Sequence, residues 1–252
     1  MIKIENFEVI GWNHVIRGMR NPMNSWDKSD SGICKGGDDG IGCENCTECG
    51  CNHSYDHSWQ LGKADHELMM KLAKAGSVHG KFRRMIVVYV DITAPLYWWK
   101  EFDTYKVGTV ANSCSTIHAK EFTWEDFSAE HLTNFGMWGE QFTDADAVYA
   151  PAKTMGCTIS ALNGARDRYL DLKSRGSQWE QQAKQAWWQM IQLLPSSYNQ
   201  KRTVMLNYEV LSNIYQYRRE HKLDEWREFC HCIEQLPYSE IITCNVKGDE
   251  LK

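Results

Sequence analysis

Two stretches of the sequence decide how the rest of the chain is interpreted. The first is APLYWWKEFDTYKVGTVANSCSTIH, Ala94 to His118, and the second is LNYEVLSNIYQYRR, Leu206 to Arg219. In the first stretch an aromatic run is followed by small hydrogen-bonding residues, namely Gly108, Thr109, Asn112, Ser113, Ser115 and Thr116. A bulky apolar wall that opens into small polar side chains is typical of a ligand site. The alternative is a buried helix that leads into a polar loop.

The second stretch predicts a helix with polar groups on its inner face. At about 100° per residue, one stripe of this helix carries Asn207, Leu211, Ile214 and Arg218, and a neighbouring stripe carries Asn213 and Tyr217. A guanidinium and an amide that face the core need polar partners there, because burying them alone is costly. Either these groups line a site, or they are the polar ends of an ordinary helix and reach solvent.

Length and composition predict a single folded domain over residues 1–252. The chain is 42% apolar with 11 Trp and 11 Tyr, which can fill a sizeable core, and its 5 Pro argue against long linkers. A net charge of −5 with mixed signs gives no field that would recruit nucleic acid or an anionic membrane. The sequence has no apolar run of membrane-spanning length and no signal-peptide pattern at its start, so we expect a cytoplasmic protein.

A glycine-rich insertion at about 32–60 holds half of the 10 cysteines. Cysteines of a cytoplasmic protein are expected to be thiols or metal ligands rather than disulfides. Four ligands of this insertion could hold a structural zinc ion, chosen from Cys43, Cys46, Cys49, Cys51 and His53. All of them are local, however, so an unliganded loop is an alternative. The Cys-x2-Cys-x2-Cys run also resembles the start of an iron–sulfur motif, although a ferredoxin places its fourth cysteine elsewhere.

Apolar periodicity predicts the remaining elements, whose ends are marked by capping residues and glycines. Met85 to Ile92 is rich in β-branched residues and predicts a strand. Helices are predicted from an Asp65 cap to Ala75, from Pro95, from a Thr123 cap, from Thr158 to Arg175, from Gln178 to Leu194, and from an Asp224 cap through Trp226, Phe229, Ile233 and Leu236.

A concentration of positive charge precedes the predicted strand. Lys81, Arg83 and Arg84 lie close to His79 in the sequence. Such a cluster could receive a phosphate group, and an exposed, solvated turn is the alternative.

Taken in order, these features resemble the flavin-dependent thymidylate synthases. The matching features are the basic turn, the strand, the Ala-Pro with its aromatic helix, an Asn-x2-Ser and a late Asn-x3-Leu-x6-Arg. The resemblance covers roughly Asp65 to His118 and Pro195 to Thr243, and the Cys-rich insertion is not part of it. It implies an α/β (α+β) fold with a mixed sheet and several long helices.

The signature motif of that family is altered in this chain. The family has Arg-His-Arg, a spacer and a Ser, where this sequence has Thr104-Tyr105-Lys106 followed by Asn112 and Ser115. Lys106 keeps a positive charge but lacks the planar fork that makes bidentate contacts. The final Arg and Tyr of the signature are replaced by Ile117 and His118. The resemblance implies that Lys106 and Asn112 contact flavin and that Ser115 acts near the nucleotide.

The late helix keeps more of the pattern. The resemblance places Asn207 and Asn213 at the flavin and makes Arg218 the residue that orients the pyrimidine, so Ser115 and Arg218 are the implied catalytic residues. Arg84 stands where the family tends to have a flavin-contacting His. Glu209 replaces an Arg of the flavin site, which reverses the charge beside a phosphate-bearing cofactor.

The resemblance also implies a reaction and an assembly. Members of the family transfer a one-carbon unit from methylenetetrahydrofolate to carbon 5 of dUMP, with a hydride from FAD that NADPH has reduced, and they are homotetramers with shared sites. Because the signature is altered, the same fold acting on another nucleotide or cofactor is one alternative. A non-catalytic binding module, in which the Cys-rich insertion is a zinc knuckle, is another.

Overall fold

The computed structural model describes residues 2–33, 59–114, 120–132 and 151–244 of the chain. Its strands are Lys3–Ile10 (β1), Gly32–Ile33 (β2), Trp59–Gln60 (β3), Val87–Pro95 (β4), Val110–Ser113 (β5) and Asn199–Asn207 (β6). Its helices are Trp12–Arg20 (α1), Lys63–Lys74 (α2), Leu96–Phe102 (α3), Pro151–Ser174 (α4), Glu180–Leu193 (α5), Tyr208–Arg218 (α6), Asp224–Glu234 (α7) and Glu240–Thr243 (α8).

The main sheet has four strands in the order β1-β4-β6-β5. Strand β4 buries every second residue, with Val88, Val90 and Ile92 all nearly inaccessible, as a strand packed on one face requires. The strand predicted from Met85 to Ile92 is confirmed, with its bounds shifted toward Pro95. None of the helices in the described ranges is long and apolar enough to cross a membrane.

The chain divides into two compact units. One comprises Met1–Glu5, Asp91–Thr104 and Ala111–Thr203, and the other comprises Asn6–Val90, Tyr105–Val110 and Val204–Lys252. We call them the first and second units. Strands β1, β4, β5 and β6 each contribute residues to both. The single domain that composition suggests for residues 1–252 stays a prediction.

The first unit contains the helical pair α4 and α5, both predicted from apolar spacing. Helix α4 begins at Pro151, earlier than predicted, and α5 begins at Glu180 after one turn of 3-10 helix. The core of this unit contains Ile159 and Leu162 from α4 and Met190 from α5. Three aromatic side chains pack with them, namely Phe122 and Phe127 from the segment that follows β5 and Tyr198 from the residue before β6.

The helix predicted at Thr123 is only a single 3-10 turn, Trp124–Asp126. The predicted cap is present, because Thr123 and Asp126 form a reciprocal capping box. The turn cannot continue as a helix because Phe127 is extended and forms an antiparallel bridge with Tyr198.

The aromatic helix α3 is confirmed but short. Trp98, Trp99 and Phe102 are almost fully buried, and the Trp99 indole donates to the Gln200 carbonyl at 2.9 Å. Pro95 lies one residue outside the helix, at its N-cap, rather than in the first turn. These side chains are core residues of the first unit and do not line an accessible site, as the alternative of a buried helix that leads into a polar loop predicts.

In the second unit the prediction that Asp65 caps a helix is wrong. Helix α2 begins at Lys63, and Asp65 is fully buried inside its first turn. Its carboxylate accepts from Arg20 Nε at 2.6 Å and from the hydroxyls of Ser29 and Ser31 at 2.7 and 2.6 Å. Burial alone would raise the pKa of Asp65, but the hydrogen bonds from Ser31, Ser29 and Arg20 outweigh it and lower the pKa below its ordinary value.

The segment that precedes the Cys-rich region is tied to helix α2. The Asp30 carboxylate accepts from the backbone N–H groups of Ala64 and Asp65 at 2.8 and 3.0 Å. Beyond it, β2 pairs with β3 in antiparallel register, with Ile33 opposite Trp59. Residues 33 and 59, which flank the region on either side, are therefore held next to each other.

Candidate functional site

The two stretches singled out in the sequence meet within the second unit. There the segment Tyr105–Val110 contacts both ends of helix α6. At the end of the helix, Arg218 Nε donates to the Tyr105 hydroxyl at 3.0 Å. At its start, Asn207 Nδ2 lies 3.5 Å from the Gly108 carbonyl oxygen, at the limit of a hydrogen bond. The structure thus places Asn207 beside Gly108 and Arg218 beside Tyr105, at opposite ends of a helix about 16 Å long.

Asn207 is fixed by the junction of β6 and α6. It has extended backbone angles and caps the helix, because its side-chain oxygen accepts from Val210 N–H at 3.0 Å. The sequence predicted that Asn207 lies on the apolar stripe of the helix. The structure instead places it one residue before the helix. Its amide nitrogen is directed to Gly108, whose φ of +82° favours glycine and where a Cβ would lie 2.8 Å from that nitrogen. The close approach of the two residues requires a glycine at 108.

Arg218, the last residue of α6, lies in a half-buried aromatic setting. Its guanidinium stands over the Trp226 ring at 4.8 Å and over the Tyr105 ring at 5.8 Å. Its Nη1 lies 2.9 Å from His221 Nε2. None of these neighbours is an acidic group, so the positive charge of Arg218 is not neutralised by them.

Several groups near this cluster are suited to contact a ligand. The Thr109 hydroxyl is buried and has no hydrogen-bond partner among the described residues. An orphaned buried hydroxyl in a native fold calls for a partner such as a ligand or water. Val107 is 91% exposed and Tyr217 is 70% exposed, and each belongs to one of the two segments that meet here. Exposed apolar and aromatic side chains beside polar ones are typical of a binding surface.

The basic side chains of the turn before β4 differ in their exposure to solvent. Within the 3-10 helix Gly80–Met85, Lys81 and Arg84 are exposed, whereas Arg83 is 3% exposed. Only the exposed residues of the turn, together with exposed His79, are accessible to a phosphate. Nothing in the sequence separates Arg83 from Lys81 and Arg84, so its different role is visible only in the structure.

Arg83 forms a buried ion pair with Glu209. Its Nε and Nη2 lie 2.9 and 2.7 Å from Glu209 Oε2, and its Nη1 donates to the Ser212 hydroxyl at 3.1 Å. The same nitrogen lies 3.4 Å from the Ile241 carbonyl oxygen. That Glu209 stands in the place of a flavin-site arginine stays a prediction of the resemblance. In this structure its charge is compensated by Arg83.

The other residues implied by the resemblance are placed as follows. Arg84, Lys106 and Asn213 are exposed residues of the second unit. Asn112 is exposed on β5, in the first unit. Ser115 lies outside the described residues. The segment Tyr105–Val110 contacts Asn207 and Arg218. The roles that the resemblance implies for all of these residues, including Asn207 and Arg218, stay predictions.

The predicted zinc ligands Cys43, Cys46, Cys49, Cys51 and His53 also lie outside the described residues. Within the described ranges, no group of three or more His, Cys, Asp or Glu side chains could hold a metal ion. Burial raises the pKa of the Cys230 thiol to about 12, so this cysteine is a packing residue and not a nucleophile.

Comparisons of sequence give no relative, whereas comparison of structure does. No family model matches the chain, and no curated protein matches it. Its fold is that of the flavin-dependent thymidylate synthases. The match is to crystal structures of thymidylate synthase X (ThyX) from Helicobacter pylori with FAD and dUMP. One has a TM-score of 0.54 and 15% identity over 96% of each chain, and another has a TM-score of 0.55 and 15% identity over 98% of this chain and 99% of that one.

At this identity the likeness shows the fold alone. The predicted fold class, a mixed α/β protein with a sheet and several helices, is confirmed. The match spans nearly the whole chain, including the N-terminal region and the middle helices that the sequence resemblance did not cover.

Proposed function

We propose that this chain is a divergent flavin-dependent thymidylate synthase-like enzyme. It would transfer a one-carbon unit to carbon 5 of a pyrimidine deoxynucleotide, dUMP or an analogue. The observation that carries the proposal is the meeting of Tyr105–Val110 with both ends of helix α6, which groups Asn207, Thr109 and Arg218 in one unit. The shared fold with ThyX supports it.

The residues present fit the ring of a flavin better than its phosphates. The Asn207 amide and the Thr109 hydroxyl, which has no partner within the described ranges, can donate and accept hydrogen bonds, as the polar edge of the flavin ring requires. Glu209 offers no positive charge to a phosphate, because it is acidic and paired with Arg83. Phosphate contacts would therefore come from exposed basic side chains such as Arg84 and Lys106.

Arg218 would act on the pyrimidine. Its guanidinium can donate to a ring carbonyl oxygen and stabilise negative charge that develops on the ring during the one-carbon transfer. The aromatic neighbours Tyr105 and Trp226 hold it in a half-buried place, where its charge is less screened than in water. A bound FAD would supply the hydride chemistry. NADPH as reductant, methylenetetrahydrofolate as one-carbon donor, a homotetramer and a cytoplasmic location belong to the same proposal.

A second candidate keeps the fold and changes the ligand. The Arg83–Glu209 pair removes one cationic contact that the resembling family offers to its cofactor. This favours a nucleotide or cofactor with less negative charge than FAD. The two candidates differ in which ligand the purified protein carries.

The visible spectrum of the purified protein tests the flavin. We expect a flavin band, or its appearance on addition of FAD. Asn207→Ser keeps an oxygen that can cap α6 but removes the amide, whereas Asn207→Ala removes both. Loss of the band in both variants would identify the amide as a flavin contact, and its retention in Asn207→Ser would reduce Asn207 to a helix cap. A colourless protein with no affinity for added FAD rejects the proposal.

Titration with dUMP then separates the two candidates. Perturbation of the flavin spectrum by dUMP, and formation of thymidylate with NADPH and methylenetetrahydrofolate, are expected from the first. A protein that binds flavin but does not respond to dUMP would favour the second.

We also propose a structural zinc ion held by four of Cys43, Cys46, Cys49, Cys51 and His53. The paired strands β2 and β3 support it, because they hold the flanks of this region together. Zinc content is the test, with Cys46→Ser compared with wild type and with Cys157→Ser, which changes an exposed cysteine of helix α4. Equal zinc in all three proteins would reject the site. Zinc without flavin would favour the binding-module alternative.

A further inference from the structure

His221 lies between helices α6 and α7, and each of its ring nitrogens faces a hydrogen-bond donor. Nε2 lies 2.9 Å from Arg218 Nη1. Nδ1 lies 3.2 Å from the backbone nitrogen of Leu223, whose N–H points to it. Both neighbours can only donate, because a guanidinium and a backbone N–H have no acceptor.

The imidazole cannot satisfy both neighbours at once. In its neutral form it has one N–H donor and one acceptor nitrogen, and in its protonated form it has two donors and no acceptor. Whichever nitrogen accepts, the other carries the ring proton and opposes its neighbour. At any moment His221 can therefore accept a hydrogen bond from only one of the two, Arg218 or Leu223.

We propose that His221 is a positioning residue for Arg218. In the ligand-free protein the ring proton is on Nδ1, and Nε2 accepts from Arg218. This choice is favoured because the contact to Arg218 is the shorter one and is assisted by charge. When Arg218 turns away, the proton moves through water from Nδ1 to Nε2, and Nδ1 accepts from Leu223. No proton is gained or lost.

The surrounding contacts fix the backbone from which the ring extends. The His221 backbone N–H donates to the Arg218 carbonyl at 3.0 Å, and the His221 carbonyl accepts from Arg227 Nη1 at 2.8 Å. Arg227 is itself paired with Asp224 at the start of α7. The side chain of Arg218 can therefore leave while the imidazole stays beside Leu223.

The exchange offsets the free energy of the hydrogen bond that Arg218 gives up at His221. A donor removed from a buried acceptor normally leaves that acceptor unsatisfied. Here the Leu223 N–H replaces Arg218 at the imidazole, so one hydrogen bond is lost and another forms. If Arg218 contacts the nucleotide, which rests on the proposed function, giving up its contact with His221 costs little, because the Leu223 N–H takes its place at the ring.

Nitrogen NMR of the full-length protein labelled with 15N-histidine tests the inference directly. At about pH 8.5 an ordinary imidazole is neutral, and the protonated and bare ring nitrogens have well-separated shifts. We expect the His221 proton on Nδ1 in wild type and on Nε2 in Arg218→Ala. His221→Asn assigns the signal, and His231→Asn, which changes an exposed histidine of α7, leaves it in place. A wild-type proton on Nε2, or no change in Arg218→Ala, overturns the inference.

Addition of dUMP to the wild-type sample connects the inference to the site. We expect the His221 proton to shift from Nδ1 to Nε2 as dUMP binds. Bound dUMP with an unchanged tautomer would show that Arg218 does not leave His221 for the nucleotide, and it would overturn the functional part. If dUMP does not bind, the proposed substrate is wrong, and the comparison of wild type with Arg218→Ala still decides the exchange.

Discussion

An arginine lies at each end of helix α6, and the two arginines differ in burial and in their hydrogen-bond partners. Near its start, Arg83 is 3% exposed and reaches a carboxylate, a hydroxyl and a carbonyl that belong to fixed elements. At its end, Arg218 is half-buried and contacts a phenol, an indole and an imidazole. The first guanidinium is enclosed and paired with the Glu209 carboxylate, whereas the second is half-buried and contacts His221, whose ring nitrogen can exchange its partner.

This difference separates a structural arginine from one suited to bind. A buried charge persists only when its partners compensate the loss of water, and such a group has nothing left to offer a ligand. A half-buried charge among aromatic rings is restrained and still accessible. Residue type alone does not distinguish the two, and the surroundings of each guanidinium do.

The largest effect is expected on removal of the enclosed arginine. Arg83→Ala leaves Glu209, whose side chain is only 12% exposed, without its partner and should lower the free energy of unfolding by about 3–5 kcal/mol. Urea denaturation measures it. Arg84→Ala, which changes the exposed neighbour, is the matched control and should stay within about 0.5 kcal/mol of wild type. Equal small losses in both variants would contradict the structural role of Arg83.

Removal of the accessible arginine should affect ligand binding more than stability. Arg218→Ala deletes a charged hydrogen-bond donor and should weaken dUMP binding by about 1.5–3 kcal/mol, which is tenfold or more. Its free energy of unfolding should change by only about 1 kcal/mol. Calorimetric titration and urea denaturation give the two numbers. A variant that loses stability without losing affinity would break the comparison with Arg83.

A smaller effect is expected when one hydroxyl is removed from the enclosed arginine. Ser212 accepts from Arg83 and donates to the Ile242 carbonyl at 2.8 Å. Ser212→Ala should destabilise the protein by about 1–2 kcal/mol, because it leaves buried polar groups without a partner. The measurement is again the free energy of unfolding in urea. No change would mean that water takes the place of the hydroxyl.

The smallest effect is expected when the equivalent hydroxyl is removed from the accessible arginine. Tyr105→Phe deletes the acceptor of Arg218 Nε and keeps the ring. The loss of stability should be about 0.5 kcal/mol, because the half-buried guanidinium can turn to water. Denaturation beside Ser212→Ala measures the contrast. If Tyr105→Phe proves the more destabilising of the two, Arg218 is held as firmly as Arg83.

Much of the fold could be predicted from the sequence, because long helices repeat their apolar residues. Helices α4 to α7 follow from such spacing, and β4 follows from its β-branched run. Strand β1 was missed because none of its residues from Lys3 to Ile10 is buried and no alternation marks it. Strand β6 was missed because Arg202 interrupts its alternation. Asp65 was misassigned because an acidic residue near a helix start is typical of a cap, and its distant partner Arg20 leaves no local pattern.

The site could be predicted in part for a similar reason. The two stretches were paired through the order of their residues, and the structure joins them at Tyr105 and Gly108. The division of the basic turn into enclosed Arg83 and exposed Arg84 could not be predicted, because neighbours in sequence differ only through what packs on them. Likewise, the position of Asn207 outside the helix depends on where β6 ends, which apolar spacing does not show.

The pairing of Ile33 with Trp59 has a consequence for engineering the chain. Opposite residues of an antiparallel pair have Cα atoms about 4.5–5.5 Å apart, a gap that a two-residue turn can close. Residues 34–58 could therefore be replaced by Asn-Gly, and the entropic cost of joining the two strands would fall with the length of chain between them. With Asp30 still attached to the start of α2, the shortened chain would keep the second unit, and the Cys-rich region becomes a separable part whose contribution can be measured by its removal.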